Sequence, residues 1–476
     1  MRLENRNPKS ELRPAAAGRG GMVSLLTSAA TGLVGRALGP LALLMLTSGA
    51  FAEPRFPPPD FSETQHQVPA PTTPPAREVW LAYLDVAVLA AALGLATWFI
   101  YKQRSRRGLF WLGLGSIAYF GFWRKGCVCS IGSPQNLALG LGDSSYAVPL
   151  TVTAFFALPL IVALFAGRSF CAGVCPHGAL QDLVLVKPVK VPDWLEQALG
   201  ILPFIFLGAG VWLASTGTLF LFCHYDPFVP LFRLGGRSAM VLTGAALLVL
   251  GTGVGRPYCR FACPYGALLK LAATVAKWRV RVTPDVCTQC KLCEHSCPFG
   301  AMREPEAGTP APGKLAGERR RLAGLVVLLP VLMLAGAWLG GMLGGPAARL
   351  NPHVALAEEY LATKDAAPAA VANTPAELAL NRARLEPQAI VTKAAQIKRQ
   401  VEIGGWIFGA WVGLVLGGKL ISLSVRRSRT DFEPDRGACF SCARCFESCP
   451  QELIRRGVGP TNPSLAVTAN AKEAHV

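Results

Sequence analysis

Seven long apolar stretches, separated by polar and glycine-rich segments, dominate the pattern of this 476-residue chain. The stretches cover residues 79–101, 110–123, 148–166, 199–222, 240–255, 322–343 and 403–423. Because about twenty apolar residues cross a bilayer as a helix, the pattern predicts an all-α polytopic membrane protein with about seven transmembrane helices. The second stretch is short, so a hairpin at residues 110–123 that does not cross the membrane remains an alternative.

Basic residues gather at the ends of these stretches. The clusters fall at residues 102–107, 168–190, 256–281, 319–321 and 426–429, and alternate threading of the seven helices places all of them on one side. The positive-inside rule makes that side the cytoplasm of a bacterial inner (cytoplasmic) membrane. The net charge of +18 is accounted for in this way, so membrane lipid is an expected partner and nucleic acid is not.

The remaining segments are predicted from composition. We expect a signal peptide or N-terminal anchor at 1–52, because basic, apolar and small residues follow in that order. A Pro-rich periplasmic linker at 53–77 precedes a five-helix membrane domain at 78–270. The rest divides into a ferredoxin segment at 271–318, a helix pair at 319–425 with a periplasmic insert at 345–402, a second ferredoxin segment at 426–457 and a disordered tail at 458–476. Within the insert, residues 378–401 predict a helix lying on the outer surface.

Two cysteine runs with one spacing give the strongest chemical signal. They comprise Cys287, Cys290, Cys293 and Cys297, followed by Pro298, and Cys439, Cys442, Cys445 and Cys449, followed by Pro450. This is the bacterial ferredoxin spacing for [4Fe–4S] clusters, in which the fourth cysteine serves the other cluster. It predicts two clusters in small cytoplasmic α+β ferredoxin-like segments, with Cys449 joining the first three thiols and Cys297 joining the second three. Structural zinc at C-x-x-C pairs is the alternative.

A second phrase occurs twice, each time at the cytoplasmic end of an apolar stretch. Residues 168–180 read RSFCAGVCPHGAL and residues 256–268 read RPYCRFACPYGAL, which places Cys171, Cys175, Cys259 and Cys263 in equivalent positions. An internal repeat of this kind indicates two equivalent helical units side by side at the inner membrane surface. Four thiolates there are suited to a third cluster or a metal ion. Packing of the cysteines as small apolar groups is the alternative.

A weaker third copy begins at Gly126. It contains Cys127 and Cys129, and the threading places it on the outer side together with Cys223 and His224. These four residues are candidates for an outer metal or redox site. A disulfide, or the hairpin at residues 110–123, would explain them equally.

The paired phrase together with the ferredoxin runs resembles the NosR/NapH/CcoG group of membrane polyferredoxins over roughly residues 79–300 and the last cysteine run. The resemblance implies electron transfer between the quinone pool or cytoplasmic carriers and periplasmic reductases. NosR-like members also carry an exported flavin-binding domain. Residues 53–77 are too short for that domain and carry no flavinylation motif, so flavin is expected only on a partner.

The sequence thus favours a membrane-bound electron-transfer component over a substrate-converting enzyme, since it shows no paired carboxylates, Ser-His-Asp set or phosphate loop. Expected partners are a periplasmic reductase, flavoprotein or cytochrome, with a bound quinone as a further candidate for crossing the bilayer. The alternative from another class is a CcoG-like metal reductase or assembly factor for a metalloenzyme. An iron–sulfur sensor is a third interpretation, although no output domain is visible.

Overall fold

The computed structural model describes residues 78–126, 129–282, 287–305, 312–366, 380, 386–425, 429 and 431–457. The chain divides into two compact units, Met1–Pro75 and Ala76–Val476, and every described residue lies in the second unit. The predicted signal peptide at 1–52, the Pro-rich linker at 53–77, the tail at 458–476 and Cys127 lie outside the described residues.

The described part is mostly helical. Its first four helices are α1 (Val79–Trp98, continued by a π-helical turn to Gln103), α2 (Arg106–Ser116, continued by a π-helical stretch to Trp123), α3 (Ser133–Gly142) and α4 (Leu150–Ala166). Ser105 caps α2 by accepting a hydrogen bond from the amide of Gly108 at 3.1 Å, which satisfies one of the free amides of a helix start. Gly167, at φ +59°, ends α4 and allows the chain to turn.

Short helices fill the next segment. They are α5 (Ser169–Gly173), α6 (Pro176–Leu183), α7 (Asp193–Leu199), α8 (Leu202–Ser215), α9 (Leu221–His224), α10 (Val229–Arg233), α11 (Ser238–Gly251), α12 (Pro257–Phe261) and α13 (Pro264–Thr274). Several begin with proline at the first helical position, where its missing amide costs no hydrogen bond. The pairs α5–α6 and α12–α13 are the two copies of the repeated phrase, and both fold as a short helix, a turn at cysteine and a second helix.

Three long helices complete the membrane part: α15 (Pro312–Ala348), α16 (Pro352–Ala366) and α17 (Pro387–Ser424). Glycines let α15 and α17 approach until their backbones touch. A Cβ built on Gly409 would lie 1.9 Å from the carbonyl oxygen of Gly336, and one on Gly340 would lie 2.1 Å from that of Gly405. Close contact between small residues is a common source of helix association in membranes. Trp212 fixes α17 to α8 by donating to the carbonyl of Val401 at 2.9 Å.

The ferredoxin segments contain α14 (Leu292–His295), α18 (Arg444–Ser448), α19 (Pro450–Arg455) and two short strands. Strands β1 (Met302–Arg303) and β2 (Glu433–Pro434) pair antiparallel, with Met302 opposite Pro434. This pairing joins the two segments across the helix hairpin that separates them in sequence. Glu452 on α19 pairs with Arg104 after α1 at 2.7 Å, which anchors the second segment to the bundle.

Four helical segments of the described part are long and apolar enough to cross a membrane: Val79–Gln103, Asp193–Ser215, Gly317–Ala348 and Pro387–Ser424. Leu150–Ala166 and Ser238–Gly251 are shorter apolar helices. Each of the seven predicted stretches overlaps a helix, although the stretch at 199–222 also includes the non-helical residues 216–220. The number of membrane-spanning helices stays a prediction. Residues 387–401, the described part of the surface helix predicted at residues 378–401, are helical and continue without interruption to Ser424. Their position on the outer surface stays a prediction.

Candidate functional site

The two ferredoxin runs exchange their fourth cysteines in space. Burial, together with the nearby thiols of Cys449, Cys290 and Cys287, raises the pKa of the Cys293 thiol to about 12. Phe432 and Val282 close the pocket that these cysteines line. Cys449 thus lies with the first run although it belongs to the second in sequence.

The remaining four ferredoxin cysteines form a second group. Burial, together with the nearby thiols of Cys439, Cys442 and Cys297, raises the pKa of the Cys445 thiol well above its usual value. The amide of Ser441 points at the Cys439 sulfur at 3.4 Å. Ser441 and Ala443 both have positive φ, which shows how tightly the chain folds around this site. The structure therefore brings Cys297 to the second run.

The repeat cysteines lie inside the helical bundle. Cys171, Cys175, Cys259 and Cys263 are all at most 6% exposed, and their sulfurs lie close enough for the charge of each to act on the others. Ser116 of α2 donates a hydrogen bond to the carbonyl of Val174. Because Ser116 is ten residues into α2, this contact lies about 15 Å along that helix from its start. The sequence places these pairs at the inner membrane surface. The structure encloses the four cysteines among the helices, and their position at that surface stays a prediction.

Two buried arginines cross between the copies. Arg256 of the second copy donates hydrogen bonds to the carbonyls of Cys171 and Ala172 in the first. Arg168 of the first copy lies 3.3 Å from where a Cβ on Gly266 of the second would stand. Each arginine therefore occupies the space left by a glycine of the other copy or by its neighbouring turn. The positive charges of both arginines therefore lie beside the four thiols. The described cysteines form no disulfide with one another.

Aromatic rings connect the repeat to the second ferredoxin group. The Arg168 guanidinium stacks on Phe440 at 3.9 Å, and Arg256 lies 5.6 Å from the centroids of both Phe440 and Phe299. Phe440 follows Cys439 in sequence, and Phe299 lies two residues after Cys297. A continuous buried layer of two rings and two guanidinium groups thus separates the two groups of cysteines.

Two glutamines occupy equivalent places in two halves of the molecule. Gln181 donates to the Cys259 sulfur at 3.2 Å and accepts from the amide of Tyr258 at 3.0 Å. Gln135 donates to the Cys223 sulfur at 3.4 Å and accepts from the amide of Phe222 at 2.7 Å. The segment around Cys223 therefore holds the position of a fourth copy of the phrase, which the sequence pattern did not reveal.

The outer candidate residues are brought together only in part. Cys129 lies within electrostatic range of Cys223 and Asp226, and all three line a cavity of about 350 Å³. His224 is exposed and contacts Arg237 Nη1 at 2.7 Å through Nε2. Asp226, which sequence reasoning missed, lines this cavity where His224 was expected.

A buried histidine joins the repeat to the outer cavity. His177, two residues after Cys175, is 1% exposed, and its Nε2 lies 3.2 Å from both carboxylate oxygens of Asp226. Its ring stacks on Tyr258. Cys129, Cys175 and His177 also line one small shared pocket. The outer and inner cysteines are thus neighbours within the bundle.

The donor sets fit iron–sulfur clusters better than single ions. Within the described ranges, no three His, Cys, Asp or Glu side chains converge as ligands of one metal ion. A cubane keeps its cysteines further apart, because iron and sulfide lie between them, and it takes thiolates alone. Both ferredoxin groups consist of four cysteines without a histidine or carboxylate among them.

Sequence reasoning missed the supporting residues for an identifiable reason. Arg168 and Arg256 open the repeated phrase, so their recurrence was a signal for a role beyond membrane topology. Gln181 recurs as Gln135 at the same offset from its cysteine. Asp226 carried no such signal, since its partner His177 comes from a distant part of the chain.

Comparisons with known proteins agree with this chemistry. A family model described as a 4Fe-4S binding domain matches residues 148–201 and 237–283, and a second of the same description matches residues 280–303. Protein NirI of Paracoccus denitrificans is 28% identical over 49% of this chain and 38% of its own length. Regulatory protein NosR of Pseudomonas aeruginosa is 30% identical over 29% of this chain and 21% of its own.

The ferredoxin-type protein NapH of Escherichia coli is 27% identical over 34% of this chain and 58% of its own. The chain therefore spans less than two thirds of each of these three relatives. No solved structure matches it. With matched 4Fe-4S binding domains, apolar helices of membrane-spanning length and these relatives, the chain is similar to iron–sulfur membrane proteins of the NosR/NapH type.

Proposed function

We propose that this protein transfers electrons across the bacterial inner membrane, between cytoplasmic or quinone-pool donors and a periplasmic redox partner. The observation that carries the proposal is the succession of cysteine groups through the protein. Two ferredoxin groups are followed by the buried repeat cysteines, and these are followed by Cys129 and Cys223 beside the outer cavity. Because the hydrocarbon core is about 30 Å thick, a crossing electron needs sites within it.

The two ferredoxin groups are the proposed cluster sites. Cys287, Cys290 and Cys293 would hold one [4Fe–4S] cluster with Cys449, and Cys439, Cys442 and Cys445 would hold the other with Cys297. When bound, each cluster accepts and releases single electrons at a potential set by ligation, burial and hydrogen bonds. The chain supplies the thiolates, the amide of Ser441 and the apolar cover of Phe432, which restricts water.

The repeat cysteines are the proposed third site, holding a cluster or a metal ion within the bundle. Arg168 and Arg256 lie where they would offset the negative charge of four thiolates. Gln181 orients the Cys259 sulfur and favours its thiolate by donating to it. Arg168 has no carboxylate partner among the described residues, and burial of its guanidinium group is costly without an anion. Four thiolates would supply that anion, whereas four cysteines used only for packing would not.

On the outer side, we place the handover to a partner at the cavity lined by Cys129 and Cys223. Cys223 is exposed, so this end is accessible from outside the bundle. A periplasmic reductase, flavoprotein or cytochrome would accept the electrons there, with flavin on the partner. A quinone bound between the helices would be the alternative carrier.

A sealed-vesicle assay tests the proposal. Purified protein is reconstituted into liposomes containing ferricyanide, and dithionite is added outside. We expect trapped ferricyanide to bleach faster than in protein-free liposomes. The Cys171→Ser, Cys259→Ser double variant should fall to the protein-free rate while keeping about eight iron per chain, the content of two [4Fe–4S] clusters. Equal rates for wild type and variant would remove the repeat from the route, and zinc in place of iron would refute electron transfer.

One observation favours a second candidate, a metal reductase or assembly factor. The outer cavity combines an accessible thiol, Cys223, with the carboxylate of Asp226, and such a pair suits brief binding of a metal ion. This function predicts that Cu(II) added outside the vesicles is reduced when electrons are supplied from the opposite side. Cys223→Ser should abolish that reduction and leave the cytoplasmic clusters intact.

A further inference from the structure

A large cavity lies between the ferredoxin segments and the membrane helices, apart from the pockets lined by the outer cysteines. Its volume is about 550 Å³, within the usual range for small-molecule sites. One wall comes from α7, α8 and the last turns of α17, and the other from α13 and the second ferredoxin segment. The cavity therefore opens where the cytoplasmic ends of the helices meet the cluster-binding part.

The lining of this cavity is strongly basic. Seven arginine and lysine side chains face two carboxylates, Glu196 and Asp435. Glu196 pairs with Arg260 at 2.8 Å, and Asp435 accepts the amides of Gly437 and Ala438 at 3.0 and 2.9 Å. Both carboxylates are thus engaged.

Several of these cations have no carboxylate partner among the described residues, including Arg168, Lys270, Arg303 and Lys419. Lys419 donates to Gln197 at 2.5 Å. Arg168 is 4% exposed, and its Nε is buried without a hydrogen-bond partner in the described part of the chain. Burial, together with the charges of Lys419 and Arg168, lowers the pKa of Lys270 to about 8. These cations repel one another, and a bound anion would relieve the repulsion.

We propose that this cavity binds a phosphate-bearing anion. Lys270, Lys419 and Arg303 would contact the anion, and the buried Arg168 would add positive charge to the same cavity. Phosphate fits because it carries more than one charge and several acceptor oxygens, which match a cluster of lysine and arginine donors. A neutral quinone would leave these charges uncompensated. Two sources of the anion are consistent with the position: the headgroup of an acidic phospholipid, since basic pockets at cytoplasmic helix ends bind such headgroups, or a soluble phosphate ester.

The cavity borders the proposed electron route at Arg168 and Cys259, so its test reads thermal stability instead of electron flow. Full-length protein is placed in nanodiscs of phosphatidylcholine, and its unfolding temperature is followed by intrinsic fluorescence. One arm adds phosphatidylglycerol to the discs, and the other adds inorganic pyrophosphate to phosphatidylcholine discs. The variants are Lys270→Met with Lys419→Met, Lys419→Met alone in case the double variant does not fold, and Lys277→Met, an exposed lysine outside the cavity, as the control.

We expect the wild type and Lys277→Met to be stabilised in at least one arm. Half-saturation should require on the order of fivefold more anion for each cavity charge removed. Stabilisation by phosphatidylglycerol alone identifies a lipid headgroup as the source, and stabilisation by pyrophosphate identifies a soluble phosphate. No stabilisation of the wild type in either arm, or equal responses from wild type and cavity variants, would overturn the site.

Discussion

Asp182 joins three parts of the molecule, and replacing it with asparagine should loosen all three. The residue lies in the last turn of α6 and is 8% exposed at its side chain. It pairs with Arg106 at the start of α2, with Arg256 of the second repeat at 3.4 Å and with Arg444 of the second ferredoxin segment at 3.2 Å. Asp182→Asn would remove the single negative charge that these arginines share, and Arg256 is completely buried.

The cost follows from this burial. Removing one partner of a buried ion pair typically destabilises a protein by about 3–5 kcal/mol, because the other charge stays buried without compensation. At roughly 2–4 °C per kcal/mol for domains of moderate size, the unfolding temperature should fall by about 6–20 °C. The matched variant Asp365→Asn removes an exposed carboxylate from α16 and should change it by about 1 °C or less.

The dependence on pH gives a second measure of the same charge. Burial alone would raise the pKa of Asp182, but Arg256, Arg106 and Arg444 outweigh it and hold the pKa well below its usual range. A carboxylate with a depressed folded-state pKa stabilises above its unfolded value, about 3.9, and loses that contribution as the pH falls. The gap between wild type and Asp182→Asn should therefore be constant from pH 5 to 8 and narrow below about pH 4. Equal unfolding temperatures at pH 7, or a gap that widens in acid, would refute the reasoning.

Two further predictions concern packing and the repeat site. Gly409→Leu should separate α15 from α17 and destabilise the protein by about 1–3 kcal/mol or more, measured as a fall in unfolding temperature in detergent, whereas Gly418→Leu should be tolerated because a Cβ there meets no atom within 4 Å. Gln181→Leu removes a hydrogen bond to the Cys259 sulfur and should lower the potential of a centre at the repeat, measured by EPR-monitored titration. Gln135→Leu, which acts on Cys223, should leave that signal unchanged, and an equal shift in both variants would contradict the assignment.

Sequence reasoning worked where the information is local. The apolar stretches predicted the positions of the helices, because a long continuous run of apolar residues is itself the signal for such a helix. Cysteine spacing predicted that Cys297 and Cys449 serve the opposite runs. The structure places each of them near the thiols of that run, and cluster ligation stays a prediction. Sequence reasoning failed where position depends on closure of the whole fold. Nothing near Asp182 signals three arginines from distant segments.

The repeated phrase is more than two copies of a cysteine pair, because each copy completes the other. The glycine after Cys-Pro leaves room for the arginine that opens the opposite phrase, as Gly178 does beside Arg256 and Gly266 beside Arg168. Arginine, cysteines and glycine therefore act as one unit, and neither half can form the site alone. In the weaker copy, Gly132 faces the Cys223 sulfur, 3.2 Å from where its Cβ would stand. With a thiol where the stronger copies have a guanidinium group, the outer cysteines border an open cavity, and the inner four are enclosed.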